Sequence, residues 1–212
     1  MTGLDLDKDS LIEVAVVVTD SELRPLDAGI DLVIAPRPGT VDGMEEVVRT
    51  MHTASGLLEE LADGLSMEDA QQRVLEYVRR WVPERRKAPL AGNSVGTDRT
   101  FLARDMPELV DHLHYRIIDV SSIKELARRW YPRAYFQSPE KNGGHRALAD
   151  ILESIDELRY YRAALFPAGD GPDSAVAKKA AAEVTASSTA LAIAKFAQRT
   201  AGTTAAGTAG EA

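Results

Sequence analysis

The stretch Leu11-Ile-Glu-Val-Ala-Val-Val-Val-Thr19 constrains this chain more than any other. Most of its residues branch at Cβ, which stiffens χ1 and favours extended backbone. The apolar run is nearly continuous rather than alternating, so it reads as a buried strand. Such a strand needs covering layers, and the rest of the chain offers them. Ile30–Ala35 is a second strand, reached through Asp20–Gly29. Val41–His52 and Gly56–Leu61 read as short helices. Ser66–Trp81 has a capping residue, acids in its first turn, arginines in its last and apolar residues at helical spacing. Ala88–Gly92 reads as a short strand followed by a helix from Thr97, and Arg116–Val120 as a strand followed by the helix Ser121–Trp130. A serine, Ser121 or Ser122, is expected to cap that helix. His145–Leu165 is the last helix, with Leu148, Ile151, Leu152, Ile155 and Leu158 on its apolar face. A hairpin followed by strands alternating with helices predicts an α/β fold, a mixed sheet covered by helices.

Composition narrows the function classes. The net charge of −8 argues against a protein that grips long nucleic acid through many phosphates, since that grip needs clustered Lys and Arg. Short nucleic acids, and substrates brought in by metal ions, stay open. There is no cysteine, which excludes disulfides and thiolate zinc sites. No apolar run reaches the ~18 residues of a membrane span, and the N-terminus lacks the pattern of a signal peptide, so the expected compartment is the cytoplasm. From Ser174 onward Ala, Thr, Ser and Gly dominate. The Gly- and Pro-rich stretch Ala168–Asp173 marks the boundary between a folded domain, 1–168, and a tail, 169–212. Ala175–Gln198 can form a marginal helix, and the last dozen residues are expected to be disordered.

Several clusters could carry chemistry. In His145-Arg-Ala-Leu-Ala-Asp150 an imidazole at a helix mouth and an acid about one turn further in can face one space. That suits a proton acceptor beside a metal-binding carboxylate, or simply a helix start with a surface acid. Gly92-Asn-Ser-Val-Gly-Thr-Asp-Arg99 follows a strand and delivers Asp98 into a helix, as its cap or as a metal ligand. His114-Tyr-Arg116 and Asp119-Val-Ser-Ser122 offer an aromatic ring, a guanidinium and hydroxyls, the groups that hold a base and a phosphate, or else a surface turn. Met51-His-Thr-Ala-Ser-Gly56 is a polar, small-residue turn, functionally ambiguous on its own. Asp5, Asp7 and Asp9 lack the glycine and closing glutamate of a calcium loop and read as a solvated loop.

Taken in order, Met1-Thr-Gly-Leu4, Met51-His-Thr-Ala-Ser-Gly-Leu57, Gly92–Arg99, His114–Trp130 and His145–Asp150 resemble the oligoribonucleases. The resemblance runs from Met1 to about Phe166. Arg129-Trp-Tyr-Pro-Arg-Ala-Tyr-Phe136 and the Ala-rich tail are similar to the actinobacterial branch. It implies an RNase H-like exonuclease of the DEDD type with a catalytic histidine, acting as a homodimer with two Mg²⁺ or Mn²⁺ ions on very short RNA, from dinucleotides upward, in the 3′-to-5′ direction. By the same resemblance Asp98 and Asp150 are metal ligands and His145 is the general base. Ser94, Arg116 and Ser121 cap the 5′ phosphate, Tyr115 comes from the partner subunit, and Leu4 wedges between bases with His52 beside it. Val47 stands where many relatives carry a base-flanking Trp. The family's first strand, with its Asp-x-Glu pair, ends where Met1 stands, so two of the four carboxylates and an interior strand are expected upstream of Met1. Without them the chain is expected to be inactive and poorly stable. The alternative of another class is therefore an inactive binder of short oligonucleotides. A DNA-proofreading relative is a third reading, against which the Tyr115–Ser122 cluster points to capture of short substrates.

Overall fold

The strand-forming run is extended at its centre. β1 spans Glu13–Val16 and pairs antiparallel with β2, Ile30–Val33, in the register Glu13 to Val33 and Val16 to Ile30. Beyond Val16 the ladder gives way because the Val18 amide donates to the Tyr77 hydroxyl (3.3 Å). The connection between the strands is tied down by Asp27. Its carboxylate accepts from Tyr77 Oη (2.6 Å), Trp81 Nε1 (2.9 Å) and the Gly29 amide (2.9 Å). Gly29 adopts φ 83°, and a Cβ there would lie 2.8 Å from the Val16 carbonyl oxygen, so only glycine fits the entry to β2. Burial, then the bond to Asp27, pushes the Tyr77 hydroxyl up to about 12.

The computed structural model describes residues 1–140, 144–190 and 192–193. These form two units that part between Leu165 and Phe166. In the first, α1 (Glu46–Ala54), α2 (Leu57–Glu60) and a 3₁₀ turn (Leu61–Asp63) lead to α3 (Met67–Trp81). α3 starts where expected: Ser66 Oγ accepts from the Asp69 amide (3.0 Å). It buries Ala70, Val74, Leu75, Tyr77 and Val78, one face at helical spacing. β3 (Pro89–Gly92), α4 (Val95–Asp105) and α5 (Pro107–His112) follow, then β4 (His114–Asp119), α6 (Val120–Trp130), α7 (Pro132–Phe136) and α8 (Ala147–Leu165). β3 and β4 run parallel, Gly92 opposite Asp119, with an irregularity at Pro89, which has no amide to give.

Among the described residues the strands make two separate pairs, β1–β2 and β3–β4, in a mixed α/β arrangement of the expected class. Leu11, Val14, Ile34, Val74, Leu75, Leu102, Met106 and Leu109 pack into one core, and Ile12, Leu57 and Leu61 into a smaller one. Each such side chain contributes about 1.5–3 kcal/mol by leaving water.

Three expectations are corrected. The cap of α6 is Asp119, whose carboxylate accepts from the Ser121 amide (2.9 Å), not a serine. α8 begins at Ala147, so His145 stands outside it in left-handed backbone, φ 50°. The face α8 buries is Ser154, Glu157 and Tyr161; Leu152 is exposed and Leu148, Ile151, Ile155 and Leu158 are half-buried. Ser154 and Glu157 are buried with polar partners, Asn93 for both and Lys124 of α6 for Glu157. In the second unit α9 spans Ser174–Ala186, capped by Asp173, which accepts from the Ala175 and Val176 amides. The last dozen residues lie outside those described.

Candidate active site

The α4 and α6 N-termini meet at Ser94 and Ser121. Ser94 caps α4 with φ 52°, a backbone angle that turns its amide toward α6. That amide donates to Asp119 Oδ1 (3.0 Å) and Ser121 Oγ (3.0 Å), and the two serine hydroxyls lie 3.2 Å apart. The structure therefore brings together two of the residues expected to hold a phosphate. Beside them runs an open groove lined by Asp119, Ser121, Ser122, Glu125, Leu126 and Arg129. On β4, Tyr115 stacks on His114 with ring centroids 4.5 Å apart, and the Arg116 guanidinium lies 5.4 Å from the Tyr115 ring centroid. Tyr115 is 67% exposed, so its ring is offered outward rather than to its own core.

A second group gathers around the N-terminus. Asp98 sits in the first turn of α4, half-buried, and is not the cap of that helix. Burial pushes its carboxyl above the usual range, opposed by the Met1 ammonium nearby. The Met1 carbonyl accepts from His52 Nε2 (2.9 Å). Asp9, one of the acids read as a loop, accepts from the Thr2 hydroxyl (2.9 Å) and the Asp5 amide (2.9 Å), fixing the turn that precedes β1. Leu4, in that turn, is exposed.

His52 is buried. Since a carbonyl only accepts, Nε2 carries the proton, and Nδ1 is left buried without a partner. A second proton on Nδ1 would put an unpaired charge in that space, so burial lowers the pKa of His52, with the Met1 ammonium and His145 pressing the same way. Unfolded, the ring takes its proton near 6.5; folded, only at lower pH. Its contribution to stability is thus complete above 6.5 and is lost as pH falls from there through the folded value. Thermal midpoints between pH 7.5 and 5 are expected to fall further for the wild type than for His52→Gln. Parallel slopes would remove His52 as the cause.

His145 and Asp150 flank the start of α8. That start is held by Glu13 of β1, whose carboxylate accepts from Arg146 Nε (2.6 Å) and from the Ala147 amide (3.0 Å). Arg146 also forks onto Glu60 through Nη1 (2.7 Å) and Nη2 (3.0 Å). These bonds, to Glu60 first and then to Glu13, hold the Arg146 guanidinium far above its ordinary pKa. Sequence reasoning missed Glu13, Glu60, Arg146, Asn93, Ser154 and Glu157 as the side chains that brace these elements against one another. A signal existed for some: Asp150, Ser154, Glu157 and Tyr161 recur at helical spacing along one side of α8.

Asp98 is a half-buried carboxylate whose charge the surroundings do not favour. The rest of a ligand set does not assemble: among the described residues no three His, Asp or Glu side chains converge. Asp98 and Asp150, expected from the sequence as ligands, belong to no such group among the described residues.

Comparison with known proteins places the chain in a family. An exonuclease family model, RNase_T, matches residues 1–158. An oligoribonuclease of Streptomyces griseus is 66% identical over 186 residues, 88% of this chain and 92% of that one. One of Leifsonia xyli is 59% identical over 87% of this chain and 89% of its own. One of Mycobacterium sp. (strain KMS) is 56% identical over 87% and 86%.

Proposed function

The chain belongs to the oligoribonucleases, a family of exonucleases, and on that premise we propose how its residues divide the work. It is a 3′-to-5′ exoribonuclease, a hydrolase of phosphodiester bonds. No finding favours an inactive binder. The finer reading is that it removes nucleotides from very short RNA, dinucleotides upward, in the cytoplasm. The observation that carries it is the pair of serine hydroxyls brought to 3.2 Å between two helix starts.

Ser94 and Ser121 form the cap for the 5′ phosphate, Ser94 donating its hydroxyl proton to it and Ser121 holding the Ser94 amide and hydroxyl in place, and Arg116 closes on it. Leu4 separates the bases, with His52 anchoring the backbone behind it. His145 takes a proton from the attacking water. The hydroxide so formed bonds to phosphorus, the bond to the 3′ oxygen breaks, and that oxygen leaves with a proton from solvent. Asp98 and Asp150 are the carboxylates this chain gives to divalent metal, Mg²⁺ or Mn²⁺, which when bound neutralises charge on the phosphoryl group. A closed cap at one end explains why an acidic protein needs no long basic track.

The enzyme works as a homodimer in which Tyr115 of one subunit covers the substrate of the other. Support comes from the apolar side chains left exposed on β4, α6 and α7: Tyr115, Ile118, Leu126, Trp130, Tyr131 and Phe136. The test is release of 3′-terminal mononucleotide from a 5′-phosphorylated dinucleotide and a heptanucleotide, with and without Mg²⁺, alongside sedimentation of the protein. Tyr115→Ala is expected to raise KM for the dinucleotide roughly tenfold, the worth of one base stack, with kcat little changed. A monomeric protein, or cleavage of long RNA in preference to dinucleotides, would overturn the reading.

A further inference from the structure

We propose that Asn93, held by Ser154 and Glu157, is the ruler that sets which RNA length the enzyme prefers. The inference rests on the reading of Ser94 and Ser121 as the holders of the 5′ phosphate. Asn93 is the one side chain among those described that bonds both to the serine pocket and to α8. Its Oδ1 accepts from Ser121 Oγ (3.1 Å), and its Nδ2 donates to Ser154 Oγ (2.9 Å) and Glu157 Oε2 (3.0 Å). Ser154 Oγ in turn donates to the carbonyl oxygen of Asp150 (2.8 Å). Four residues thus connect the end that grips a terminal phosphate with the turn of α8 that carries Asp150.

Chemistry fixes the direction of every bond in this chain. Glu157 is buried and its other oxygen pairs with Lys124 Nζ at 2.9 Å, so it is a carboxylate that only accepts. It therefore draws the nitrogen of the Asn93 amide and turns the oxygen toward Ser121. The single hydroxyl proton of Ser121 is then spent on Asn93. In the contact between the serines Ser94 must be the donor, with its proton free to swing to an incoming phosphate. Glu157 thus decides through Asn93 how both hydroxyls point. It also sets how far the pocket stands from α8. A dinucleotide carries one phosphodiester between its 5′ phosphate and its last nucleoside, so it must fit that spacing at both ends at once. A longer RNA can reach the cleavage centre without using the pocket.

Asn93 and Glu157 are positioning residues, and the readout is the ratio of kcat/KM for a 5′-phosphorylated dinucleotide to that for a heptanucleotide. Asn93→Ala and the isosteric Glu157→Gln are each expected to lower this ratio about tenfold, the worth of one hydrogen bond to a charged ligand. The heptanucleotide value should stay within about threefold of wild type, since it does not depend on the pocket. Equal losses on both substrates, or an unchanged ratio in the folded variants, overturn the ruler while leaving the exoribonuclease reading intact. A wild-type protein without preference for the dinucleotide overturns the functional reading, and this inference with it.

Discussion

Replacing His145 by alanine is expected to lower kcat about a thousandfold, the usual worth of a positioned general base, with dinucleotide affinity little changed. His145 is exposed, lies two residues before α8, and has left-handed backbone with φ 50°. A non-glycine residue in that region costs about 1–2 kcal/mol, and such strain is held where surrounding structure demands it. The surroundings here are explicit: Glu13 and Glu60 fasten Arg146, the next residue, from β1 and from the end of α2. His145→Gly separates the two consequences. Glycine relieves the backbone strain, so that variant should be at least as stable as wild type while being as inactive as the alanine variant. Stability measured by denaturant midpoint, beside single-turnover rates, reads both. Activity within tenfold of wild type in either variant would remove His145 from the role of base.

The sequence disclosed what depends on neighbours along the chain and hid what depends on neighbours across it. α3 was legible in full because Ser66 caps it locally and its apolar residues fall on one face. The hairpin was legible from its β-branched run and from Asp20–Gly29, although the Tyr77 hydroxyl, which cuts β1 short, comes from a helix fifty-nine residues away. The cap of α6 was misassigned because Asp119 and Ser121 are both competent caps. The choice fell to Asp119 because its carboxylate serves two amides at once, that of Ser121 and that of Ser94 on another element. α8 shows the limit most plainly. Hydrophobic pattern points to Leu148, Ile151, Leu152 and Ile155, yet the buried residues are Ser154, Glu157 and Tyr161; for Ser154 and Glu157, Asn93 and Lys124 supply the partners that make burying them possible. Of the site, the motifs around Ser94, Tyr115, Arg116, Ser121, His145 and Asp150 were readable as blocks of chain. The carboxylates that position them, Glu13 and Glu157, lie in stretches that read as strand and as helix surface.

Glu13→Ala is expected to destabilise the fold by about 3 kcal/mol, at the low end of the range for breaking one side of a buried ion pair. The Glu13 side chain is 5% exposed and serves two donors, Arg146 Nε and the amide of Ala147. Its removal leaves the first amide of α8 without an acceptor, which alone costs about 1 kcal/mol, as loss of an N-cap does. It also leaves Arg146, whose side chain is 27% exposed, with Glu60 as its remaining carboxylate partner among the described residues. Asp31 opposes this sum in part. Burial, then repulsion from Glu13, pushes the Asp31 carboxyl up, so losing Glu13 relaxes one strain while creating a larger one. Glu13→Gln should fall between, at about 1–2 kcal/mol, because one amide oxygen can satisfy one of the two donors and its nitrogen faces the other. Glu60→Gln should cost less than about 1 kcal/mol, since Glu60 is 47% exposed and water replaces what it gives. The three variants compared by urea midpoint at constant m-value give the order directly. An equal cost for Glu60→Gln and Glu13→Ala would mean that the exposed fork, and not the buried carboxylate under the helix, fixes the start of α8 and the histidine that precedes it.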